Sequence, residues 1–382
     1  MKIGILTIHD SPNYGACLQC YALWKYLSDQ GYDCEIIDLH RPGAHPDYTP
    51  SKKYCRTRTT KQSLLKKIKL HAIRLFCKTN KPVRHYNEDA KVKFDAFKAL
   101  CKMSQPYNSL DKFYEQPPQY DIYIAGSDQL WNPTQPYCIE PYFLTFVSGA
   151  EKKKISFSTS IGITELTDKE KDLFKQWLSD FTAISVREKQ AKELLSSFVD
   201  REVKQISDPT FLLPYSSWKE LANYPNIKTP YILYFALHIE NGILDYCKKL
   251  SIESGLPLYV MNQTQPAPID NSYLAVKDAG PRDFIGYIAN ADMVITDSFH
   301  CTAFSIIMSS KNFYTYISSG NKRGSRIDDL LESFGLLSHK LTSADLSYAA
   351  LSANTINHDS INDTINKDHL EACDFLTKSI NA

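Results

Sequence analysis

The sequence predicts an α/β protein made of two Rossmann-like domains that face each other across a cleft. The chain has 382 residues, more than one ordinary hydrophobic core can organise. Hydrophobic residues make up 43% and charged residues 23%, as in folded globular proteins rather than disordered or fibrous ones. Short apolar runs alternate with helical patterns in two successive blocks, which is typical of parallel sheets with crossover helices.

The first block opens with a continuous apolar run at residues 3–8, typical of a strand covered on both faces. A helix over 16–30, which ends at Gly31, and a strand over 34–39 complete a βαβ unit. The alternation then continues through strands at 122–125, 154–158, 183–186 and 204–207 and helices at 168–178 and 189–198.

The second block begins after a cluster of four prolines within residues 209–230. Its predicted strands cover 231–237, 258–261, 293–296 and 313–317, and its helices cover 242–254, 281–289, 302–308 and 327–334. We therefore predict an N-terminal domain over 1–214, a C-terminal domain over 215–345 and a tail over 346–382 that ends in a helix near 366–379.

The charge is balanced except in one segment. The net charge is +1, which argues against a nucleic-acid-binding protein. Residues 48–87, however, form an insertion with twelve Lys and Arg and no Asp or Glu. Within it, the apolar residues of a predicted helix over 61–78 fall on one face. That face either packs on the body of the protein or lies on an anionic membrane surface.

We find no apolar stretch long enough for a membrane span and no secretory pattern at the N-terminus. The ten cysteines are scattered, so we expect free thiols. A structural zinc needs four ligands, and no second Cys or His pair accompanies the Cys17–Cys20 spacing, so no metal site is predicted. The expected location is the cytoplasm, with peripheral contact to the inner face of the membrane through 61–78 as an open alternative.

Polar side chains at strand ends are the candidate site residues, because ligands of open α/β sheets bind beyond the carboxyl ends of the strands. Asn13, Tyr14 and Gly15 follow the first strand and open a helix, whose free N–H groups favour anions. Asp128 follows the third strand and can bind a sugar hydroxyl or accept its proton. Arg187 follows the fifth strand, and its planar fork fits phosphate or carboxylate. The structural alternatives are a tight turn for Asn13, Tyr14 and Gly15, an Asx turn for Asp128 and a salt bridge for Arg187.

The richest cluster is Asp297, Ser298 and His300, directly after the strand at 293–296. His300 is expected beside the N-terminus of the next helix, where the helix dipole favours anions. Because histidine titrates near neutrality, it can act as an acid or a base at cytoplasmic pH.

A basic, glycine-bearing loop precedes the helix at 327–334 and contains Lys322, Arg323 and Arg326. Three cations at a helix N-terminus suit a phosphate, and a solvated loop is the structural alternative. Together with Arg187 and His300, this loop indicates an anionic, phosphorylated small substrate held between the domains.

At these positions the chain resembles the polysaccharide pyruvyl transferase family, in order over roughly residues 1–340. The matching motifs are Asn13-Tyr14-Gly15-Ala16-Cys17-Leu18-Gln19, Ile124-Ala125-Gly126-Ser127-Asp128-Gln129-Leu130-Trp131-Asn132, Ser185-Val186-Arg187-Glu188, Ser207-Asp208-Pro209-Thr210, Val294-Ile295-Thr296-Asp297-Ser298-Phe299-His300 and Arg326-Ile327-x-x-Leu330-Leu331. Each motif is weak alone, and their order and spacing together are fairly specific.

The resemblance implies a fold like that of GT-B glycosyltransferases and transfer of a pyruvyl group from phosphoenolpyruvate to a sugar hydroxyl pair, in surface polysaccharide biosynthesis. Phosphoenolpyruvate is the donor substrate, and no cofactor is expected. Arg187 and His300 match the family's donor-binding residues. Ser298 stands where the family has Arg, so Arg323 or Arg326 is expected to supply the missing cation.

The implied chemistry gives each residue a role. His300 protonates C3 of the donor, which makes C2 electrophilic, and Asp128 or Asp297 orients or deprotonates the attacking sugar hydroxyls. Arg187, with Arg326 or Lys322, neutralises the donor's phosphate and carboxylate. The acceptor is a sugar, and a lipid-linked oligosaccharide would agree with membrane contact.

Two other functions remain open. A GT-B sugar-nucleotide glycosyltransferase would share the fold and would use the basic C-domain loop for a diphosphate. A non-catalytic carbohydrate-binding protein on the same scaffold would agree with Ser298 in place of Arg.

Overall fold

A computed structural model describes residues 1–41, 48–49, 51, 87–135, 138, 140–263, 270–318 and 325–382. The predicted helix at 61–78 lies outside the described residues, as do Lys322 and Arg323. Among the helices that the structure describes, none has the length and apolar character needed to cross a membrane.

The first sheet contains six described strands, all parallel. They are β1 (Lys2–Leu6), β2 (Asp33–Ile36), β3 (Ile122–Ala125), β4 (Lys153–Thr159), β5 (Ala183–Val186) and β6 (Val203–Gln205). Their spatial order is β2-β1-β3-β4-β5-β6. In register, Ile3 of β1 pairs with Cys34 on one side and Ile122 on the other. Every residue of β3 is buried, as expected for a strand between two layers of helices.

Four of the five described helices of the first domain begin at a capping side chain, and α5 is the exception. They are α1 (Tyr14–Asp29), α2 (Glu88–Lys98), α3 (Leu110–Glu115), α4 (Asp168–Leu178) and α5 (Lys189–Ser196). The α1 helix starts at Tyr14 because Oδ1 of Asn13 accepts a hydrogen bond from the Ala16 N–H at 3.0 Å. Thr167 and Glu170 form a capping box that starts α4.

The second sheet contains five described parallel strands in the order β11-β10-β7-β8-β9. The strands are β7 (Ile232–Ala236), β8 (Leu258–Asn262), β9 (Leu274–Val276), β10 (Met293–Thr296) and β11 (Phe313–Thr315). The helices around them are α6 (Tyr215–Leu221), α7 (Asn241–Ser254), α8 (Pro281–Asn290), α9 (Phe299–Ile307), α10 (Ser325–Ser333) and α11 (Tyr348–Ala353). The predicted class, two parallel α/β sheets in one chain, is confirmed.

The predicted tail ends in a long helix, α12 (His358–Asn381), that returns to the first sheet. Phe375 of this helix packs near Phe157 of β4, with ring centroids 6.2 Å apart. The Lys153 ammonium donates to the carbonyl of Ile380 at 2.7 Å. One hydrophobic core includes side chains from both sheets and from α12, so the two domains share buried apolar surface.

Several helices begin earlier than the sequence predicts, and at α9 and α10 the difference moves site residues. The α9 helix starts at Phe299 rather than at 302, because Oγ of Ser298 accepts a hydrogen bond from the Cys301 N–H at 3.3 Å. His300 therefore lies inside the first turn. The α10 helix starts at Ser325 rather than at 327, which places Arg326 on a helix instead of in the preceding loop. The strand β9 and the helices α2, α3, α6 and α11 are elements that the sequence patterns did not predict.

Candidate active site

A polar cavity of about 130 Å³, the cleft cavity, lies between the two domains. The first domain contributes Asn13, Tyr14, Gly15, Asp128 and Gln129, and the second contributes Phe235, Leu237, Gln263, Phe284, Ser298, Phe299, His300 and Arg326. Most of the residues predicted from strand ends and helix starts thus line one space, because the carboxyl ends of both sheets open toward it.

Two helix N-termini meet at the cleft cavity. Asn13 caps α1 and Ser298 caps α9, and both cap residues line the cavity. The first N–H groups of a helix lack intrahelical partners, and the helix dipole adds partial positive charge there. Two such ends from different domains make the cavity a suitable place for an anion.

Tyr14 joins the domains as well as lining the cavity. Its ring stacks on Phe284 with centroids 4.7 Å apart, and its hydroxyl donates to the Ala279 carbonyl at 3.0 Å. Next to it, the side-chain amide of Gln263 donates to the Pro12 carbonyl at 2.8 Å. These contacts hold the N-terminus of α1 against the second domain.

His300 touches the first domain along two edges of its ring. A Cβ placed on Gly15 would lie 2.0 Å from His300 Nδ1, so the imidazole directly adjoins the α1 backbone. On the other edge, Nε2 lies 3.6 Å from Oδ2 of Asp208. His300 is 9% exposed, so it can meet a ligand in the cleft while both domains hold its ring.

Asp208 is the residue of this site that strand-end reasoning missed. It is fully buried, and Oδ2 accepts a hydrogen bond from Arg187 Nη1 at 2.7 Å, while Oδ1 accepts from the Thr210 N–H at 3.1 Å. Burial favours the neutral acid, but the charges of His300 and Arg187 outweigh it and hold the pKa of Asp208 well below its ordinary value. Asp208 directly follows the predicted strand at 204–207, so the strand-end criterion could have identified it, but it entered the sequence analysis only within the motif Ser207-Asp208-Pro209-Thr210.

Arg187 lies beside the cleft cavity rather than in its wall. It lines a second cavity of about 220 Å³, the lateral cavity, which shares Phe299 and Arg326 with the cleft cavity. Its guanidinium carbon stands 4.3 Å from the centroid of the Phe299 ring. Burial lowers the pKa of Arg187, but the carboxylates of Asp208 and Glu188 have the larger combined effect and raise it. Of the two interpretations of Arg187, an anion-binding fork at the cleft and a salt bridge, the structure shows the salt bridge, and the guanidinium is buried.

Arg326 is the cation that the structure places in the cleft cavity itself. Its guanidinium carbon is 5.9 Å from the Phe299 ring centroid. With the Gln129 amide oriented so that its oxygen faces the guanidinium, that oxygen accepts from Nη1 and Nη2 at 2.7 and 2.8 Å. Gln129 therefore fixes the fork of Arg326 at the cavity wall.

The two predicted aspartates are placed differently. Asp128 lines the cleft cavity, and its Oδ1 accepts a hydrogen bond from the Gln129 N–H at 2.8 Å. Asp297 is 2% exposed and is absent from the lining of both cavities, as far as the described residues show. Its Oδ1 accepts from the Leu237 N–H at 2.7 Å, which ties the end of β10 to the end of β7. Burial raises the pKa of Asp297 to about 6.

Within the described residues, no group of three or more His, Cys, Asp or Glu side chains is arranged to hold a metal ion.

Solved structures resemble the chain over nearly its whole length at low sequence identity. Arabidopsis thaliana UGT89C1, solved with quercetin, has a TM-score of 0.51 and 9% identity, over 98% of both chains. A Listeria monocytogenes protein assigned as a UDP-N-acetylglucosamine 2-epimerase has a TM-score of 0.50 and 10% identity, over 98% of this chain and 95% of its own. These similarities show a GT-B fold.

The sequence comparisons identify the family. No curated protein sequence gives a significant match to the chain. The family profile described as polysaccharide pyruvyl transferase matches residues 13–309, which include the cap of α1, Asp128, Arg187, Asp208 and His300. The chain therefore belongs to the polysaccharide pyruvyl transferase family, a family of transferases.

Proposed function

We propose that this protein transfers a pyruvyl group from phosphoenolpyruvate to two hydroxyls of one sugar, which gives a cyclic ketal and inorganic phosphate. The observation that carries the proposal is the cleft cavity. It combines two helix N-termini, the Arg326 cation and the His300 imidazole in one small polar space between the domains. A donor with a phosphate and a carboxylate fits such a space, because both of its groups are anionic.

The reaction begins with proton transfer from His300 to C3 of phosphoenolpyruvate. As the C2–C3 double bond is protonated, C2 becomes electrophilic and one sugar hydroxyl attacks it. This step leaves a methyl group at C3 and a tetrahedral C2 that still carries the phosphate. His300 suits the role of acid because it lines the cleft cavity and its ring is held between Gly15 and Asp208.

In the second half, a neighbouring hydroxyl of the same sugar replaces phosphate at C2, and the ketal ring closes. Each attacking hydroxyl loses its proton, and Asp128 is the carboxylate in the cleft cavity that is available to orient or deprotonate it. Arg326 and the two helix N-termini balance the charge of the departing phosphate. In this assignment Arg326 supplies the cation expected where Ser298 stands.

The decisive experiment is incubation of the protein with phosphoenolpyruvate and a panel of sugar acceptors. We expect phosphate release that depends on the acceptor, together with an acceptor product heavier by one pyruvyl ketal in mass spectrometry. Thermal-shift titration with phosphoenolpyruvate and with sugar nucleotides separates this function from that of a sugar-nucleotide glycosyltransferase. Stabilisation by sugar nucleotides alone, without acceptor-dependent phosphate release, would refute the proposal.

A further inference from the structure

The lateral cavity differs from the cleft cavity in its charge. Its wall contains the carboxylates of Glu188, Asp208, Asp329, Asp368 and Glu371, against the two guanidinium groups of Arg187 and Arg326. Arg187 and Asp208 form an ion pair, so one positive and one negative charge of this wall neutralise each other. The remaining carboxylates make this cavity unfavourable for an anion such as phosphoenolpyruvate and favourable for an uncharged or amine-bearing molecule.

Arg187 and Glu188, in the wall of the lateral cavity, have three buried polar atoms without a hydrogen-bond partner among the described residues. They are Nε and Nη2 of Arg187, both donors, and Oε2 of Glu188, an acceptor. The two residues are 5% and 3% exposed. A buried polar atom without a partner costs free energy, so the three atoms together indicate a ligand that both donates and accepts. A hydroxyl group does both.

Aromatic side chains supply the apolar part of the wall. The rings of Phe211 and Phe299 line the cavity together with Leu330. A pocket that joins apolar faces to a few fixed polar groups suits a ligand with one apolar face and a hydroxylated rim, as a sugar ring has.

We propose that the lateral cavity binds the acceptor sugar, as an uncharged or amine-bearing ring, while the donor binds in the cleft cavity. This inference rests on the proposed function and assigns its second substrate to a separate space. Phe299 and Arg326 line both cavities, and Asp208 in the lateral wall is 3.6 Å from His300 Nε2 in the cleft wall. A hydroxyl at the inner end of the sugar would therefore approach the carbon that His300 activates.

The test separates the two substrates by blocking one cavity from outside. Ser333→Trp, on the last residue of α10, and Glu371→Trp, on α12, place an indole at the mouth of the lateral cavity. The neighbouring exposed positions Glu332→Trp and Leu370→Trp are matched controls outside the cavity wall. Methyl glucoside, methyl mannoside, methyl galactoside and methyl glucosaminide are titrated by ligand-observed NMR, and phosphoenolpyruvate by calorimetry.

We expect at least one glycoside to bind the unmodified protein and to bind at least about ten-fold more weakly to Ser333→Trp and Glu371→Trp, a loss that corresponds to about 1.4 kcal/mol. The controls should retain glycoside binding, and all four variants should retain phosphoenolpyruvate binding. The proposal is overturned if no glycoside binds, if blocking leaves glycoside binding intact, or if it removes phosphoenolpyruvate binding as well. Glycoside binding that depends on the cavity, in a protein that ignores phosphoenolpyruvate, would refute the proposed function and leave the sugar site standing.

Discussion

Gly15 and His300 come from different domains and meet so closely that a Cβ atom on Gly15 would lie 2.0 Å from His300 Nδ1. Real Cβ atoms essentially never approach another heavy atom closer than 3.0 Å, so any larger residue at position 15 would force His300 or the α1 backbone to shift. The backbone of the first turn of α1 thus limits the position of the imidazole on one edge, and Asp208 lies against the ring's other edge. The placement of the proposed acid is consequently determined by the first domain.

Gly15→Ala is expected to displace His300 or to push the domains slightly apart. Overpacking of this kind costs about 1–3 kcal/mol of unfolding free energy. A misplacement of about 1 Å can lower turnover about 10²-fold, so we expect kcat to fall by that order. The measurements are denaturant unfolding and steady-state kinetics with phosphoenolpyruvate.

Gly242→Ala is the matched control, because a Cβ at Gly242 in α7 meets nothing within 4 Å. Alanine there should stabilise the helix by about 0.5–1 kcal/mol and leave turnover unchanged. Turnover near that of the unmodified protein in Gly15→Ala would show that the contact does not position His300.

His300→Ala tests the role of His300 as the proton donor. General acid catalysis contributes about 10²–10⁴-fold, so kcat should fall by that order and KM for phosphoenolpyruvate should change less. The pH–rate profile should also lose its alkaline limb, because that limb reflects loss of the acid's proton. His358→Ala, at the first residue of α12 outside both cavity walls, is the control. Unchanged turnover in His300→Ala would place the acid elsewhere.

The sequence predicted which residues line the cleft cavity better than it predicted which of the site residues contact each other. Strand ends and helix starts identified Asn13, Asp128 and His300 correctly as neighbours in space, because parallel strands bring their carboxyl ends to one edge. The pairing of His300 with Asp208 could not be predicted in this way. It joins two segments 92 residues apart, and their contact depends on how the domains pack, which local patterns do not contain.

The surroundings of Arg187 are a second feature that local sequence patterns could not predict. Its position after an apolar run predicted a cation at the edge of the sheet, and that is where it lies. Its burial follows from Asp208 and from Phe299 of the other domain, neither of which its own neighbourhood in sequence reveals. A cation that looks available in sequence can therefore be part of a buried ion pair.

Arg187→Ala should lower the stability of the fold as well as any binding of the donor. The change leaves the carboxylates of Asp208 and Glu188 buried without their cation. Breaking a buried pair from one side costs about 3–5 kcal/mol of unfolding free energy. Chemical denaturation of the two proteins measures this cost directly.

The double variant Arg187→Met with Asp208→Asn should recover part of that loss, because it leaves one buried carboxylate without a cation, that of Glu188, instead of two. Lys378→Met is the control for an exposed pair, since Lys378 bonds Asp374 on the surface of α12 at 2.8 Å. The Lys378→Met change should lower the unfolding free energy by no more than about 1 kcal/mol. A loss for Arg187→Ala as small as that of the control would mean that solvent reaches the guanidinium.

Asp297 leads to a prediction about pH, because burial raises its pKa to about 6 from an ordinary value of 3.8. The folded state therefore keeps the Asp297 proton to a higher pH than the unfolded state does. Where the folded state binds more protons, the unfolding free energy falls as pH rises. For Asp297 this fall extends from about pH 4 to about pH 6 and amounts to about 3 kcal/mol.

Asp297→Asn removes the ionisation but keeps a side-chain oxygen that can accept the hydrogen bond from the Leu237 N–H. We expect the variant to match the unmodified protein near pH 4 and to be more stable by about 1–3 kcal/mol above pH 7, because only the aspartate then carries a buried charge. Urea unfolding at pH 4, 6 and 8 measures the difference. Asp363→Asn, on an exposed position of α12, is the control, and its unfolding free energy should differ little from that of the unmodified protein at any of the three pH values. An unfolding free-energy difference that is the same at pH 4 and pH 8 would mean that Asp297 ionises in its ordinary range.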